Sequence, residues 1–93
     1  MDSEKSSGSD EIVFTTSGIF RTAFSVIPKH VQELVEKAVK EILKNPEQGK
    51  LIAFGVKNER IQKLNGHTLA YAYNSETKKI ILLNVYERKV FFK

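Results

Sequence analysis

Residues 59–93 read ERIQKLNGHTLAYAYNSETKKIILLNVYERKVFFK, and their reading decides the fold. LAYAY (69–73) and KIILLNVY (79–86) are two β-rich, alternating runs joined by the polar turn Asn74-Ser75-Glu76-Thr77. Asn65-Gly66, a strong hairpin dipeptide, separates the first of them from an earlier strand over residues 59–64. Three strands in succession form an antiparallel meander. Cations gather just before the first run and just after the second, so pairing the runs would bring residues 60–63 and 86–92 towards each other. Such a cluster suits a phosphate-bearing partner.

Upstream of this sheet the pattern is helical. Val31, Leu34, Val35, Ala38, Val39, Ile42 and Leu43 recur at intervals of three and one, the core-facing stripe of an amphipathic helix over residues 28–44. Pro28 opens it and Asn45-Pro46 closes it. Before Pro28, Thr16 or Ser17 can cap a shorter helix whose apolar face is Ile19, Phe20, Ala23, Phe24 and Ile27. Separated only by the proline, the two helices are expected to form an antiparallel hairpin. Residues 11–15 are a β-prone run and a candidate fourth strand. Residues 51–54 are apolar and short, either a strand start or a loop packed on the helices. The expected fold is α+β: an N-terminal helical hairpin packed on a twisted antiparallel sheet of three to four strands.

The chain has 93 residues, enough for one domain with a modest core. Residues 1–11 are polar and Ser-rich, an expected disordered acidic tail ahead of a domain spanning residues 12–93. The tail's net −3, set against the whole chain's +4, leaves +7 on residues 12–93. A body with that bias attracts nucleic acid or an acidic protein segment, and is equally compatible with a merely soluble basic surface. There is no cysteine, so no disulfide or thiolate metal site contributes. No apolar run approaches the ~20 residues that span a bilayer. A soluble, cytoplasmic protein is expected.

No phosphate loop, dinucleotide fingerprint, nucleophile elbow or metal-spaced His/Cys set is present, and no cofactor or metal is expected. His30 lies on the polar side of the long helix. His67 follows the Asn-Gly turn among cations, where a turn-flanking surface histidine is the plainer reading. Arg60, Lys63, Arg88, Lys89 and Lys93 form the strongest constellation. Cleavage of RNA by its own 2′-hydroxyl needs a proton acceptor, donors for the charged phosphorane and an acid for the leaving oxygen. Arginine and lysine fill the second role; lysine or histidine fills the others where the surroundings shift proton affinity. A solvated basic rim is the alternative. Alternation puts Arg60 and Lys63 on opposite strand faces unless a bulge intervenes. Tyr71, Tyr73, Tyr86, Phe91 and Phe92 are the aromatics available for stacking on bases, with Tyr71 and Tyr73 better suited to the core.

The order of NPEQGKLI, ERIQKLNGHTLAYAY, KKIILLNVY and ERKVFFK resembles the RelE/ParE superfamily of type II toxins, over about residues 12–93. The resemblance implies a helical hairpin before a basic sheet, and a cognate antitoxin as partner. It matches Arg60 to the family's strand arginine and Arg88 to the arginine after the last strand, a phosphate clamp assisted by Lys63 or His67. Lys89, Phe92 and Lys93 become RNA-binding residues. The chain departs from the pattern with Phe92 in place of a tyrosine, Glu87 in place of a histidine, and Thr68 or Leu69 in place of a second strand arginine. The RelE branch implies a ribosome-dependent mRNA endoribonuclease; the ParE branch implies a protein inhibitor of DNA gyrase. A toxin fold without activity is the third possibility.

Overall fold

A computed structural model of the chain describes residues 12–53 and 55–87. The order is β1 (Val13–Thr16), α1 (Gly18–Val26), α2 (Lys29–Lys44), β2 (Lys50–Leu51), β3 (Glu59–Lys63), β4 (His67–Asn74) and β5 (Lys79–Glu87). The strands form one sheet in the order β1-β5-β4-β3-β2.

The class is α+β as expected, but the layout differs from the expectation in three ways. The sheet has five strands rather than three or four, because the two-residue β2 pairs with β3 through Lys50↔Ile61 and Leu51↔Arg60. It is mixed rather than antiparallel, since β1 runs parallel to β5 (Val13↔Lys79 through Thr16↔Leu82). A parallel neighbour cannot be joined by a tight turn. Both helices and the rest of the sheet lie between these two strands in sequence. The two helices therefore do not open the domain ahead of the sheet, as expected, but follow β1 at the start of the long connection to β5.

Ser17 fixes the start of that connection. Its Oγ accepts from Phe20 N at 3.0 Å as the α1 N-cap and donates to Leu83 O at 2.8 Å, while its own N–H donates to Leu82 O. Pinned to β5 in this way, α1 leaves an apolar groove against α2, with Phe20 and Phe24 on one wall and Val35, Val39 and Leu43 on the other. Phe20 is buried, but Ile19, expected on the same apolar face, is 68% exposed. Pro28 precedes α2 as its N-cap rather than its first residue. The predicted stripe packs as Val31, Val35, Ala38 and Ile42, all buried, on one side of the sheet.

On that same side stand Leu69, Tyr71 and Tyr73 of β4 with their register partners Val85, Leu82 and Ile80 of β5. The register shifts between Ala70 and Tyr71, leaving Leu83 as an extra residue in β5. This bulge puts Val85 in the core and sets Asn84 opposite Ala70 on the other face. Strict alternation from Ile80 and Leu82 would have buried Asn84 instead. Among the described residues no helix is long and apolar enough to cross a membrane.

Candidate functional site

The faces of the sheet follow from the register. Leu69, Tyr71 and Tyr73 look to the helices, so Thr68, Ala70 and Ala72 look the other way. On this side, which carries no helix among the described residues (the helix-free side), the partners across β3 are Lys63, Ile61 and Glu59 and those across β5 are Tyr86, Asn84 and Ile81. No register shift interrupts β3 and β4. Arg60 pairs with Tyr71 and therefore sits on the helix side, opposite to Lys63.

The two cations expected to act together are thus separated. Arg60 is half-buried, and its Nη1 donates to Glu47 O at 2.9 Å and Gly49 O at 2.8 Å. Beside it the Tyr71 hydroxyl donates to Pro46 O at 2.7 Å and accepts from Gly49 N at 2.9 Å. Four hydrogen bonds from one cross-strand pair hold the turn that follows α2. Gly49 is required there: a Cβ would lie 2.6 Å from the Tyr71 oxygen and 2.9 Å from Ile61 O. Burial pushes the Tyr71 hydroxyl above its ordinary value, opposed by the Gly49 N–H and the Arg60 charge and reinforced by Glu47.

Lys63 is exposed in the row Lys63–Thr68–Tyr86, where Thr68 is buried and Tyr86 is 44% exposed. A cation and an aromatic ring flank a small residue there, the ingredients of a platform for a phosphate and a stacked base. His67 begins β4 in register with Glu87; two residues before Leu69, it lies on the helix side rather than with Lys63, and its Nδ1 is buried with no hydrogen-bond partner among the described residues. Its carbonyl accepts from Leu64 N across the Asn65-Gly66 turn at 2.8 Å. Arg88, Lys89, Phe92 and Lys93 lie outside the described residues, as does the acidic tail at residues 1–11. His30 is exposed on α2, as expected.

Lys50, the partner of Ile61, and Lys79, the partner of Asn74, share the face of Lys63. Neither stood out in the sequence. Lys50 belongs to a strand of two residues that no periodicity can reveal, and Lys79 reads only as the edge of a turn. The facing of Tyr86 has no sequence signal either: strict alternation from Ile80 and Leu82 would point it into the core, and only the extra Leu83 turns it to the other face.

No protein-family model and no curated protein matches the chain. Solved structures do match it. The isolated E. coli RelE toxin superposes with a TM-score of 0.71 at 20% identity, covering 87% of each chain. The RelBE2 toxin–antitoxin complex from Mycobacterium tuberculosis gives 0.72 at 18% identity, over 84% of this chain and 99% of that one. The archaeal RelE–RelB complex from Pyrococcus horikoshii OT3 gives 0.66 at 17%, over 87% and 98%. At such identities the likeness is one of fold. This mixed sheet, crossed over by two helices from its parallel edge strand, is the fold of the RelE toxins.

Proposed function

We propose that the chain is the toxin of a type II toxin–antitoxin pair and acts in the cytoplasm as a ribosome-dependent mRNA endoribonuclease. The observation that carries this reading is the Lys63–Thr68–Tyr86 row on the helix-free face of a RelE-like sheet. Two of the similar structures are complexes of a RelE with a RelB antitoxin, which supports a cognate antitoxin here. By docking on the basic face, that antitoxin would mask the site and stabilise the fold by linkage.

In this reading Lys63 and Arg88 supply positive charge to the scissile phosphate and Lys63 moves the proton, whereas His67, two residues before Leu69 on β4, lies on the helix side and does not share the face of Lys63. Tyr86 stacks on a base, with Lys89, Phe92 and Lys93 extending the contact. Arg60 is a positioning residue, because its guanidinium group is committed to Glu47 O and Gly49 O on the far side of the sheet.

Induced expression, with primer-extension mapping of mRNA on translating ribosomes, tests this reading. Wild type should arrest growth with new cuts in the ribosomal A site. Lys63→Ala should lose the cuts without a change in Tm, Arg88→Ala should lose the cuts, and Arg60→Ala should lower Tm as well. Growth arrest with no cuts but with accumulated gyrase–DNA complexes would replace the nuclease reading by gyrase inhibition. No arrest at all would leave a toxin fold without toxicity.

A further inference from the structure

We propose a second RNA phosphate subsite at the opposite end of β4, so that a single strand of RNA lies along β4 from Lys63 to Lys57 and Lys79. This extends the RNA reading above and rests on it. A pocket of about 300 Å³ opens there, walled by Lys57, Lys79, Asn74 and Thr77 over a floor that includes Ala72 and Ile81. Ala72 and Ile81 are cross-strand partners on the helix-free face, as are Asn74 and Lys79.

The donor set is that of an anion site. Both lysines are exposed, and among the described residues no carboxylate lines the pocket. The neighbouring cleft on the helix side, by contrast, contains Glu47 and Glu76. The acid of β3 on the RNA-facing side is Glu59, partner of Ala72, but its Oε1 accepts from Val56 N at 3.0 Å and is turned to that loop. Asn74 spends its Oδ1 on Glu76 N (2.8 Å) and Thr77 N (3.2 Å), which leaves its Nδ2 to donate outward. Two lysines, an asparagine and a threonine thus line one pocket with an apolar floor, donors of the kind an anion needs. A phosphate fits the rim and a base fits the floor.

The rows Lys63–Thr68 and Asn74–Lys79 are six residues apart along β4, roughly 20 Å. No single nucleotide bridges that span, but an extended strand does. Between the two ends lie Ala70 and Ala72, whose short side chains leave the track low. Ile61 and Glu59 border it on one side, Asn84 and Ile81 on the other.

The test is fluorescence anisotropy of the full chain with 2′-O-methylated RNA, which cannot be cut by its own 2′-oxygen, as a single-stranded hexanucleotide and as a dinucleotide over a range of salt. The Lys57→Ala/Lys79→Ala double variant should bind the hexanucleotide about tenfold more weakly. Its slope of log K against log salt should be shallower by about 0.7, the loss of one single-strand phosphate contact. Dinucleotide binding at the Lys63 end should change far less, and Lys57→Arg/Lys79→Arg should restore the hexanucleotide. Wild-type affinity and salt slope in the double variant, with binding weakened by Lys63→Ala, would overturn the far subsite and leave the RNA face standing. Failure of the wild type to bind either RNA, or binding indifferent to Lys63→Ala, would remove the RNA reading itself.

Discussion

Tyr71 does most to join the sheet to the helical layer, and it does so through one oxygen. The ring is fully buried, and the hydroxyl bridges Pro46 O and Gly49 N. Tyr71→Phe keeps the ring but strips partners from two backbone groups, at a cost of about 1–3 kcal/mol. The same oxygen makes stability alkaline-sensitive. Burial raises its pKa above 10.0, so the folded protein holds this proton more tightly than the unfolded chain does. The contribution is complete below the unfolded pKa and declines as pH rises towards the folded one, at about 1.4 kcal/mol per pH unit. Urea unfolding of wild type and Tyr71→Phe on either side of that value checks this. The gap between them should narrow on the alkaline side, and parallel curves would mean that another group titrates. That Tyr71 belongs to the core was legible from alternation with Tyr73. Its hydrogen bonds were not, because their partners are backbone atoms at the end of α2, more than twenty residues earlier in the chain. Arg60 was legible as a conspicuous strand arginine, but the carbonyls that occupy it come from that same turn.

At the scale of elements, the turn between β4 and β5 carries a strained residue. Asn74 Oδ1 caps the N–H groups of Glu76 and Thr77, and Lys78 then takes φ 59° to re-enter the sheet. A left-handed conformation penalises an L side chain and suits glycine. Lys78→Gly should therefore stabilise the protein by about 0.5–1 kcal/mol, read as a rise of a few degrees in Tm. A fall in Tm would mean that the lysine side chain contributes more than its backbone strain costs. At the other hairpin Gly66 (φ 83°) already fills the left-handed position, which is why Asn65-Gly66 announced its turn in the sequence and Lys78 did not. The helices were legible for a similar reason: proline breaks and a spacing of three and four are local signals. The bulge at Leu83 was not, since two adjacent leucines look alike until one knows that Asn84 must leave the core.

The direction of β1 belongs to the whole molecule. Residues 13–16 are β-prone on their own, but whether they run with or against β5 depends on how many reversals separate the two strands, including the brief β2 that the sequence left open between a strand start and a loop at residues 51–54. Periodicity assigns faces, not directions, so a fourth strand was legible and a parallel one was not. The finished sheet has β5, β4 and β3 inside and β1 and β2 at its edges. β1 closes across sixty-odd residues of chain, as the Ser17–Leu83 hydrogen bond shows, and Val13 and Phe14 remain 59% and 44% exposed. β4, by contrast, pairs along its length with β5 and buries Leu69 and Tyr71 completely. Opening free energies should rank accordingly, since protection scales with burial and with the number of neighbours that must be released. Native-state hydrogen exchange should find the amides of residues 69–73 exchanging only through global unfolding. Those of β1 and β2 should exchange by local opening, at least tenfold faster, a gap of about 1.4 kcal/mol. Equal protection in β1 and β4 would show that the parallel edge is part of the same cooperative unit. The Ser17 cap, which ties β1 and α1 to β5 together, would then be the bond to break, and Ser17→Ala should release β1 exchange while leaving β4 protected.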